Sequence, residues 1–367
     1  MNDIFKTVFS NSAALAVFLA AASLLVLAVI TIYVVAFVQG RSVSFWPPRV
    51  GPKPLAQNSN AQISPPHHRQ NSSLTESAQL SIQSIKKGTV LVTSTGEQVL
   101  IESNSYTGVR ATLMKAKVSA GRQVMVKLFW RGLGPDSTAW NAFSREYNAG
   151  ESLSHRNVAQ TFDQGLWNGY PFLVLEFFGG GTLYDLIHNR DRMSGAEVLS
   201  IAEQVASGLD YAHSQGRIHR DISPSNILLE SDARGRVAIS DFGIARILGA
   251  VDTRITAMGS AFEGTPAYVA PEIFSTPKQV TPAADIYSLG VVLFEMLAGR
   301  CPFPTVETMY ELFRQKTQET VPRLSSFRKV PDDLDQRLFE TLSPIPDDRP
   351  QTARSVLSGI EDSLLTI

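Results

Sequence analysis

Residues 13–38 restrict the fold of this 367-residue chain more than any other feature, because they contain no charged side chain. A helix of about 20 apolar residues is long enough to cross the hydrocarbon core of a bilayer. A cleaved signal peptide is the alternative, but its apolar region is only about 7–15 residues long. We therefore predict an uncleaved transmembrane helix at residues 13–38, preceded by a short extracytoplasmic tail at residues 1–12.

The charges on either side of this run indicate its orientation. Lys6 is balanced by Asp3 before the run, whereas three basic and no acidic residues follow it at Arg41, Arg49 and Lys53. Cytoplasmic flanks carry the excess of Lys and Arg. We therefore predict a single-pass protein with its N-terminus outside and everything after the span in the cytoplasm.

Composition separates a linker from a folded region. Residues 39–84 are rich in Pro, Ser, Asn and Gln, so they bury too little apolar surface to offset the entropy of ordering, and we predict a disordered juxtamembrane linker. The formal net charge is only -1, which gives no overall attraction to nucleic acid, and no nucleic-acid partner is expected. The single cysteine, Cys301, excludes an internal disulfide.

From residue 85 the hydrophobic pattern changes twice along the chain. Short β-rich runs at residues 89–92, 98–101 and 123–129 are separated by turn residues and predict a small antiparallel sheet. After Gly179 the apolar spacing becomes helical, as at residues 198–213 and 283–299. A strand-rich lobe followed by a helix-rich lobe gives an α+β chain.

Five short motifs occur in a fixed order within these two lobes. They are V-M-V-K ending at Lys127, Glu146 in a helical segment, H-R-D-I-S-P-S-N at 219–226, D-F-G at 241–243 and A-P-E at 270–272. Each motif alone is a weak signal, but their order and spacing together are specific. Over about residues 90–362 the chain resembles the protein kinase family, and in particular the bacterial transmembrane eukaryotic-like serine/threonine kinases.

The resemblance implies a two-lobed protein-kinase fold, with the N-lobe and hinge at residues 85–178 and the C-lobe at residues 179–367. It implies an ATP-dependent phosphotransferase that acts on protein substrates with Mg²⁺ or Mn²⁺. Lys127 is expected to bind the α- and β-phosphates and to pair with Glu146. Asn226 and Asp241 are expected to bind the metal, and Asp221 to accept the proton of the acceptor hydroxyl.

The same resemblance implies further site residues. The ATP pocket is expected to comprise Gly108, Leu113, Met125, Lys127, Leu175, Glu176, Phe178 and Leu228. Structural roles are expected for His219, Arg220, Phe242, Gly243, Glu272, Asp285 and Arg349, with a buried ion pair between Glu272 and Arg349. Thr265 marks a substrate loop of the serine/threonine type.

Three positions depart from the family pattern. The glycine-rich loop keeps only Gly108 in the stretch 106–113, Met125 replaces a small alanine, and Ser223 replaces the lysine that neutralises the γ-phosphate. Two alternatives to an active enzyme therefore stay open. One is a pseudokinase, and the other is a membrane-anchored scaffold that binds nucleotide with weak or no catalysis.

The segment from Asp241 to Glu272 suggests how such an enzyme is controlled. Arg220 precedes Asp221, and in similar kinases a phosphate on this segment pairs with that arginine. Thr256 and Ser260 are the expected phosphosites. Tethering at the plasma (inner) membrane raises the local concentration of neighbouring copies, so a homodimer and trans-autophosphorylation are expected in signal transduction.

Overall fold

The computed structural model describes residues 43–44, 49–50, 85–107, 111–129, 140, 143–144, 147, 153–190, 192–233, 235–242, 265–275, 280–303 and 308–367. The chain divides into two units, Met1–His68 and Arg69–Ile367. In the first unit, strands β1 (Val43–Ser44) and β2 (Arg49–Val50) pair as an antiparallel hairpin.

The predicted transmembrane helix at residues 13–38 lies outside the described residues, as does most of the predicted linker. Within the described ranges, no helix is both long enough and apolar enough to span a bilayer.

The second unit begins with a sheet of six antiparallel strands. They are β3 (Val90–Val92), β4 (Gln98–Thr107), β5 (Ala111–Val118), β6 (Gln123–Phe129), β7 (Thr161–Trp167) and β8 (Tyr170–Glu176). Their order across the sheet is β3-β4-β5-β6-β8-β7. The strands predicted at residues 89–92, 98–101 and 123–129 are confirmed.

Alternation along the central strands gives this sheet two different faces. The even-numbered apolar residues of β5 and β6, such as Met114 and Val126, are buried in one apolar core. The odd-numbered residues Leu113, Met125 and Lys127 lie on the opposite face and are only partly buried. Because side chains alternate between faces, Lys127 is directed away from the core that its neighbours fill.

The C-lobe is mainly helical. The helices among its described residues are α1 (Leu183–His188), α2 (Gly195–Ser214), α3 (Pro271–Ser275), α4 (Ala283–Ala298), α5 (Met309–Gln318), α6 (Asp332–Thr341), α7 (Ala353–Leu357) and α8 (Glu361–Leu365). The helical runs predicted at residues 198–213 and 283–299 correspond to α2 and α4. A capping box between Ser194 and Glu197 begins α2, and Gly299 ends α4 at a φ of 73° that favours glycine.

Helix α4 is the centre of this lobe. Every residue from Ala284 to Leu297 is buried, and the helix packs against α2, α6 and α7. A helix that is apolar on all sides must lie in the interior. Three polar side chains nevertheless occur on it, namely Asp285, Ser288 and Glu295. Buried polar groups need partners, so these three are candidates for a positioning role.

A short hairpin lies between α2 and α3 along the chain. Strand β9 (Ile227–Leu229) pairs with β10 (Val237–Ile239) in antiparallel register, with Ile227 opposite Ile239. The loop at residues 219–226 enters β9, and residues 240–242 leave β10. The pairing therefore brings the H-R-D-I-S-P-S-N and D-F-G motifs to the same end of one hairpin.

Candidate active site

A single buried carboxylate on α4 fixes the backbone of the loop at residues 219–226. The N–H of His219 donates to Asp285 Oδ2 at 2.8 Å, and the N–H of Arg220 donates to Oδ1 at 2.7 Å. His213 Nε2 lies 2.8 Å from Oδ2. Burial would raise the pKa of Asp285, but the hydrogen bond and charge of His213, together with His219, hold that pKa below its ordinary value. The carboxylate is thus a stable anchor for two consecutive peptide groups.

His219 connects this loop to the end of β10. Its ring is buried, Nδ1 accepts from the N–H of Asp221 at 3.1 Å, and Nε2 lies 2.7 Å from the carbonyl oxygen of Ser240. An acceptor at Nδ1 and a carbonyl at Nε2 require the neutral tautomer with its proton on Nε2. The ring also packs edge-on against Phe242, with 4.6 Å between centroids. The side chain therefore orients Asp221 and Phe242 together.

Two residues of this region have left-handed backbone angles that most side chains avoid. Arg220 and Asp241 both have a φ of 68°. Such conformations cost roughly 1–3 kcal/mol and persist only where surrounding contacts impose them. At Arg220 the imposing contact is the hydrogen bond to Asp285. One of the two strained residues, Asp241, carries an acidic side chain of the site, and the other, Arg220, directly precedes Asp221.

Asn226 ties the two motifs to each other. Its side-chain Nδ2 donates to the main-chain carbonyl oxygen of Asp221 at 2.7 Å, and its main-chain carbonyl oxygen accepts from the N–H of Ser240 at 2.9 Å. The amide nitrogen is therefore occupied, and the amide oxygen is the atom left for a cation. The loop carrying Asp221 and the strand end preceding Asp241 form one hydrogen-bonded unit.

The two lobes meet at a close ion pair. Lys127 Nζ on β6 lies 2.6 Å from Asp241 Oδ2, and both side chains are 17% exposed. The two residues are 114 positions apart in sequence. The contact brings the basic residue of the sheet to the acidic residue of the D-F-G motif.

The remaining oxygen of Asp241 fits a divalent metal. Oδ1 is buried and has no hydrogen-bond partner among the described residues. An unsatisfied buried carboxylate oxygen is costly unless a cation or water meets it. Mg²⁺ prefers oxygen ligands such as carboxylates and amide carbonyls, which Asp241 and Asn226 both offer. The donor set therefore suits a hard cation.

Ser223 occupies an unusual place in the same loop. Its side chain is 2% exposed, and within the described part of the chain its Oγ has no hydrogen-bond partner. A lysine at this position would add a long, positively charged side chain to the loop, whereas serine has only a short, neutral hydroxyl. The departure noted from the sequence thus lies at the site itself.

The expected nucleotide-binding side chains share one face of the sheet. Leu113 pairs with Lys127, and Met125 pairs with Leu175, so these four side chains lie side by side on adjacent strands. Each is partly buried. Leu228 on β9, also partly buried, bridges to Thr182 at the start of the large lobe. The sheet face offers a flat apolar surface next to a cation.

The segment that joins the lobes is fixed by an arginine that sequence reasoning missed. Both guanidinium Nη atoms of Arg236 donate to the carboxylate of Glu176, and its Nε donates to the carbonyl oxygen of Arg156 at 2.6 Å. The guanidinium also lies 5.0 Å from the ring centroid of Phe178. Glu176 and Phe178 are therefore attached to the β9–β10 hairpin. A lone arginine in a turn gives no sequence pattern that would reveal this.

The A-P-E segment is held by a second buried ion pair. Arg349 Nη1 and Nη2 lie 2.7 and 2.9 Å from the two carboxylate oxygens of Glu272, and the Arg349 side chain is fully buried. Three main-chain carbonyls, those of Ala283, Ser343 and Pro344, accept its further hydrogen bonds. The ion pair predicted from the sequence is present in the structure.

Helix α4 also holds the segment before A-P-E. The hydroxyl of Tyr268 donates to Glu295 Oε2 at 2.6 Å, and Ser288 Oγ donates to the carbonyl oxygen of Tyr268 at 2.8 Å. Burial raises the pKa of Glu295, although the hydrogen bond from Tyr268 opposes that shift. Sequence reasoning missed these two partners, because each is an isolated polar residue in an apolar helix.

Comparison with known proteins agrees with this geometry. Residues 107–359 match the protein kinase domain family. The chain belongs to the protein kinase family. The prediction made from the motif order is therefore confirmed, and so is the protein-kinase fold with a β-sheet N-lobe and a helical C-lobe.

Bacterial serine/threonine-protein kinases are among the similar sequences. PknL of Mycobacterium tuberculosis is 32% identical over 264 residues, which cover 71% of this chain and 64% of PknL. PknB of Mycobacterium leprae is 29% identical over 243 residues, which cover 65% of this chain and 38% of PknB. The match thus spans about two thirds of one relative and less than half of the other.

Solved kinase structures have the same fold. The kinase domain of Mycobacterium tuberculosis PknI, as a double mutant, superposes with a TM-score of 0.58 at 23% identity, covering 77% of this chain and 99% of that domain. Rad53 1–466 in complex with AMP-PNP gives a TM-score of 0.58 at 26% identity, covering 71% of this chain and 64% of that solved chain.

Several expected kinase residues lie outside the described residues, namely Gly108, Glu146, Gly243, Thr256 and Ser260. The predicted pair between Lys127 and Glu146 is therefore not described. Thr265 begins a short 3-10 helix, Thr265–Tyr268, directly before the A-P-E segment.

Proposed function

We propose that this protein transfers the γ-phosphoryl group of ATP to serine or threonine hydroxyls of proteins. The observation that carries the proposal is the 2.6 Å contact between Lys127 and Asp241, next to a catalytic loop held by Asp285. Phosphoryl transfer requires positioned cations and an oriented acceptor more than covalent chemistry. A phosphate-binding lysine and a metal-binding aspartate at one place meet the first of these needs.

Roles for the individual residues follow from this arrangement. Asp241 and Asn226 would hold Mg²⁺ or Mn²⁺, which supplies positive charge next to the phosphates when bound. Lys127 would bind the α- and β-phosphates of ATP, and Asp221 would orient the acceptor hydroxyl and take its proton. The apolar sheet face with Leu113, Met125 and Leu175 would receive the adenine. The main chain of Glu176 and Phe178 would hydrogen-bond to its edge.

Serine or threonine is the acceptor favoured by two observations. The relatives PknL and PknB are named serine/threonine-protein kinases. Thr265 also lies in G-T-P-A-Y, a sequence that resembles the substrate loop of that class. A pseudokinase is less well supported, because the sequence keeps Lys127, Asp221, Asn226 and Asp241 at the positions expected from the kinase motifs.

Membrane attachment and self-activation remain parts of the same proposal. The uncharged run at residues 13–38 and the basic residues after it support a single-pass anchor with the kinase domain in the cytoplasm. Protease added outside intact cells should then leave the kinase region uncut. Trans-autophosphorylation within a homodimer is proposed at Thr256 or Ser260. Mass spectrometry of a kinase-dead copy mixed with active protein tests it.

The decisive experiment measures phosphoryl transfer directly. Purified full-length protein in detergent is incubated with Mg²⁺, γ-labelled ATP and a model protein such as myelin basic protein. We expect label on serine or threonine, and loss of that label in Asp241→Asn, since the amide removes the charge that holds the metal. Nucleotide binding without any transfer, in either Mg²⁺ or Mn²⁺, would instead identify a pseudokinase or a scaffold.

A further inference from the structure

A buried lysine in the C-lobe contacts the main chain of the substrate loop. Lys316 on α5 is 1% exposed. Its Nζ donates to the carbonyl oxygens of Ala267 and Val269 at 2.6 Å each, and of Pro266 at 3.3 Å. One ammonium group thus satisfies three carbonyls within four consecutive residues. These residues belong to the loop at 265–269, which directly precedes the A-P-E segment.

Burial of the Lys316 ammonium group costs free energy that packing alone does not require. Lysine is almost never fully buried, because removing an ammonium group from water costs several kcal/mol. An apolar side chain of the same length would fill this space on α5 without that cost. It would also remove the donor that Lys316 gives to the carbonyl oxygens of Ala267 and Val269, whereas Pro266 would keep its hydrogen bond from the N–H of Val269, and unmade buried hydrogen bonds are themselves costly. The ammonium group of Lys316 therefore stabilises the loop, through its hydrogen bonds, and is not needed by α5 itself.

The other groups around the ammonium are few and identifiable. Its Nζ lies 5.1 Å from the ring centroid of Tyr287 on α4. Cys301 and Glu272 act on it electrostatically in the direction that favours the charged form, and Arg349 acts in the opposite direction. Burial is the largest influence and lowers the pKa of Lys316 to about 7. The three carbonyls are its direct hydrogen-bond partners in the structure.

The loop has anchors on two different helices. Tyr268 is attached to α4 through Ser288 and Glu295, as described above. Lys316 attaches the residues on both sides of Tyr268 to α5. With the side chain of Tyr268 fixed on one helix and its flanking carbonyls on another, the path of the backbone is determined. The loop then presents a defined surface near Thr265.

We propose that Lys316 is a positioning residue for the protein substrate, holding the loop at residues 265–269 in the conformation that receives the polypeptide around the acceptor hydroxyl. The inference rests on the proposed kinase function, because it assigns a substrate to that loop. Lys316 contacts neither Lys127 nor Asp241, so it acts on recognition of the protein and not on ATP. Its loss should separate these two activities.

The test compares Lys316→Met and Lys316→Gln with Lys329→Met in the full-length protein. Lys329 is an exposed lysine in the same lobe and serves as the matched control. For Lys316→Met we expect the KM for the protein substrate to rise about tenfold or more, as for other losses of substrate positioning. The KM for ATP, and ATP hydrolysis without acceptor, should stay within about twofold of wild type. Glutamine keeps two N–H donors and should give an intermediate KM.

Hydrogen exchange of the backbone amides of residues 267–269 provides a second readout that does not require catalysis. Exchange should be faster in Lys316→Met than in Lys316→Gln, and unchanged in Lys329→Met. Equal loss of ATP hydrolysis and protein phosphorylation would overturn the inference, since it would indicate a general folding role. Unchanged protein KM together with unchanged exchange would overturn it as well. If wild type transfers no phosphate at all, the kinase proposal fails, while the exchange experiment still tests the attachment of the loop.

Discussion

Replacing Asp285 by asparagine tests whether the catalytic loop depends on its buried carboxylate. In the wild type, Asp285 accepts hydrogen bonds from two peptide N–H groups, at His219 and Arg220, on different oxygens. Asparagine has the same shape but only one acceptor oxygen. Whichever way the amide is turned, an NH₂ group faces a peptide N–H that previously donated to a carboxylate. The substitution therefore removes charge and creates one donor-to-donor conflict.

The magnitude follows from burial. Asp285 is 0% exposed, so no water replaces the lost acceptor. Breaking a buried charged interaction while leaving its partners in place costs about 3–5 kcal/mol. For a domain of this size, each kcal/mol lowers Tm by roughly 2–4 °C, so we expect a decrease of roughly 6–20 °C. One of the two peptide N–H groups directly before Asp221, that of His219 or that of Arg220, also loses its acceptor, which displaces Asp221. Misplacement by about 1 Å lowers turnover roughly 100-fold.

Thermal unfolding followed by circular dichroism measures the first effect, and turnover per folded molecule measures the second. Asp210→Asn is the matched control, because Asp210 accepts from the N–H groups of Ala353 and Arg354 at the start of α7, away from the loop. The control should lose stability but keep its turnover. If Asp285→Asn were as active per folded molecule as Asp210→Asn, the anchoring argument would be refuted.

Acid titration tests the same carboxylate, because the direction in which stability changes with pH can be predicted. The pKa of Asp285 in the folded protein lies below its ordinary value of 3.8. A lowered pKa contributes stability at any pH above the unfolded value, and that stability is lost as the pH falls through the folded value. Wild type should therefore lose stability on acidification below about pH 4 more steeply than Asp285→Asn. Parallel curves for the two proteins would contradict this assignment.

Three further outcomes are expected. Asp221→Asn should lower turnover about 10²–10⁴-fold with little change in ATP binding, measured by single-turnover kinetics and by equilibrium binding, and equal turnover would remove Asp221 from its role. Arg236→Met should raise the KM for ATP about two- to tenfold by releasing Glu176, whereas Arg314→Met, which breaks an exposed ion-pair cluster on α5, should not. In the wild type, the KM for protein substrate should rise as the pH passes from about 6 to about 8. Burial lowers the pKa of Lys316 to about 7, so the side chain loses a proton in this range, and the neutral amine has only two N–H donors for three carbonyls. A KM that does not change with pH would contradict this prediction.

The parts of the site that sequence predicts well are those whose residues are close together in the chain. The loop at residues 219–226 carries its acid and its amide five positions apart, so the spacing itself reports the geometry. The faces of strands β5 and β6 can be predicted in the same way, since side chains alternate along a strand and this alternation places Lys127 on the face opposite Val126 and Leu128. Local periodicity is enough for such features.

The missed partners share a different property. His213, Arg236 and Lys316 each act on a residue at least 47 positions away, and none belongs to a repeating pattern. Lysine in a short polar helix such as α5 normally indicates a solvated face. Only the packing of α5 against the loop at residues 265–269 reveals that this lysine points inward. Single long-range polar contacts are therefore found from structure.

One buried helix connects the two parts of the proposed acceptor side. Asp285 near the start of α4 fixes the catalytic loop, and Glu295 ten residues later fixes Tyr268 in the substrate loop. At 1.5 Å per residue these two anchors are about 15 Å apart along a rigid rod. The nucleotide side depends instead on Lys127, which belongs to the sheet. Movement of the sheet relative to α4 would therefore change the distance between Lys127 and Asp241 without changing the spacing between the catalytic and substrate loops. Conditions that open the cleft should accordingly alter ATP binding first. Recognition of the protein acceptor should change less, because its two loops stay fixed by the anchors on α4 and α5.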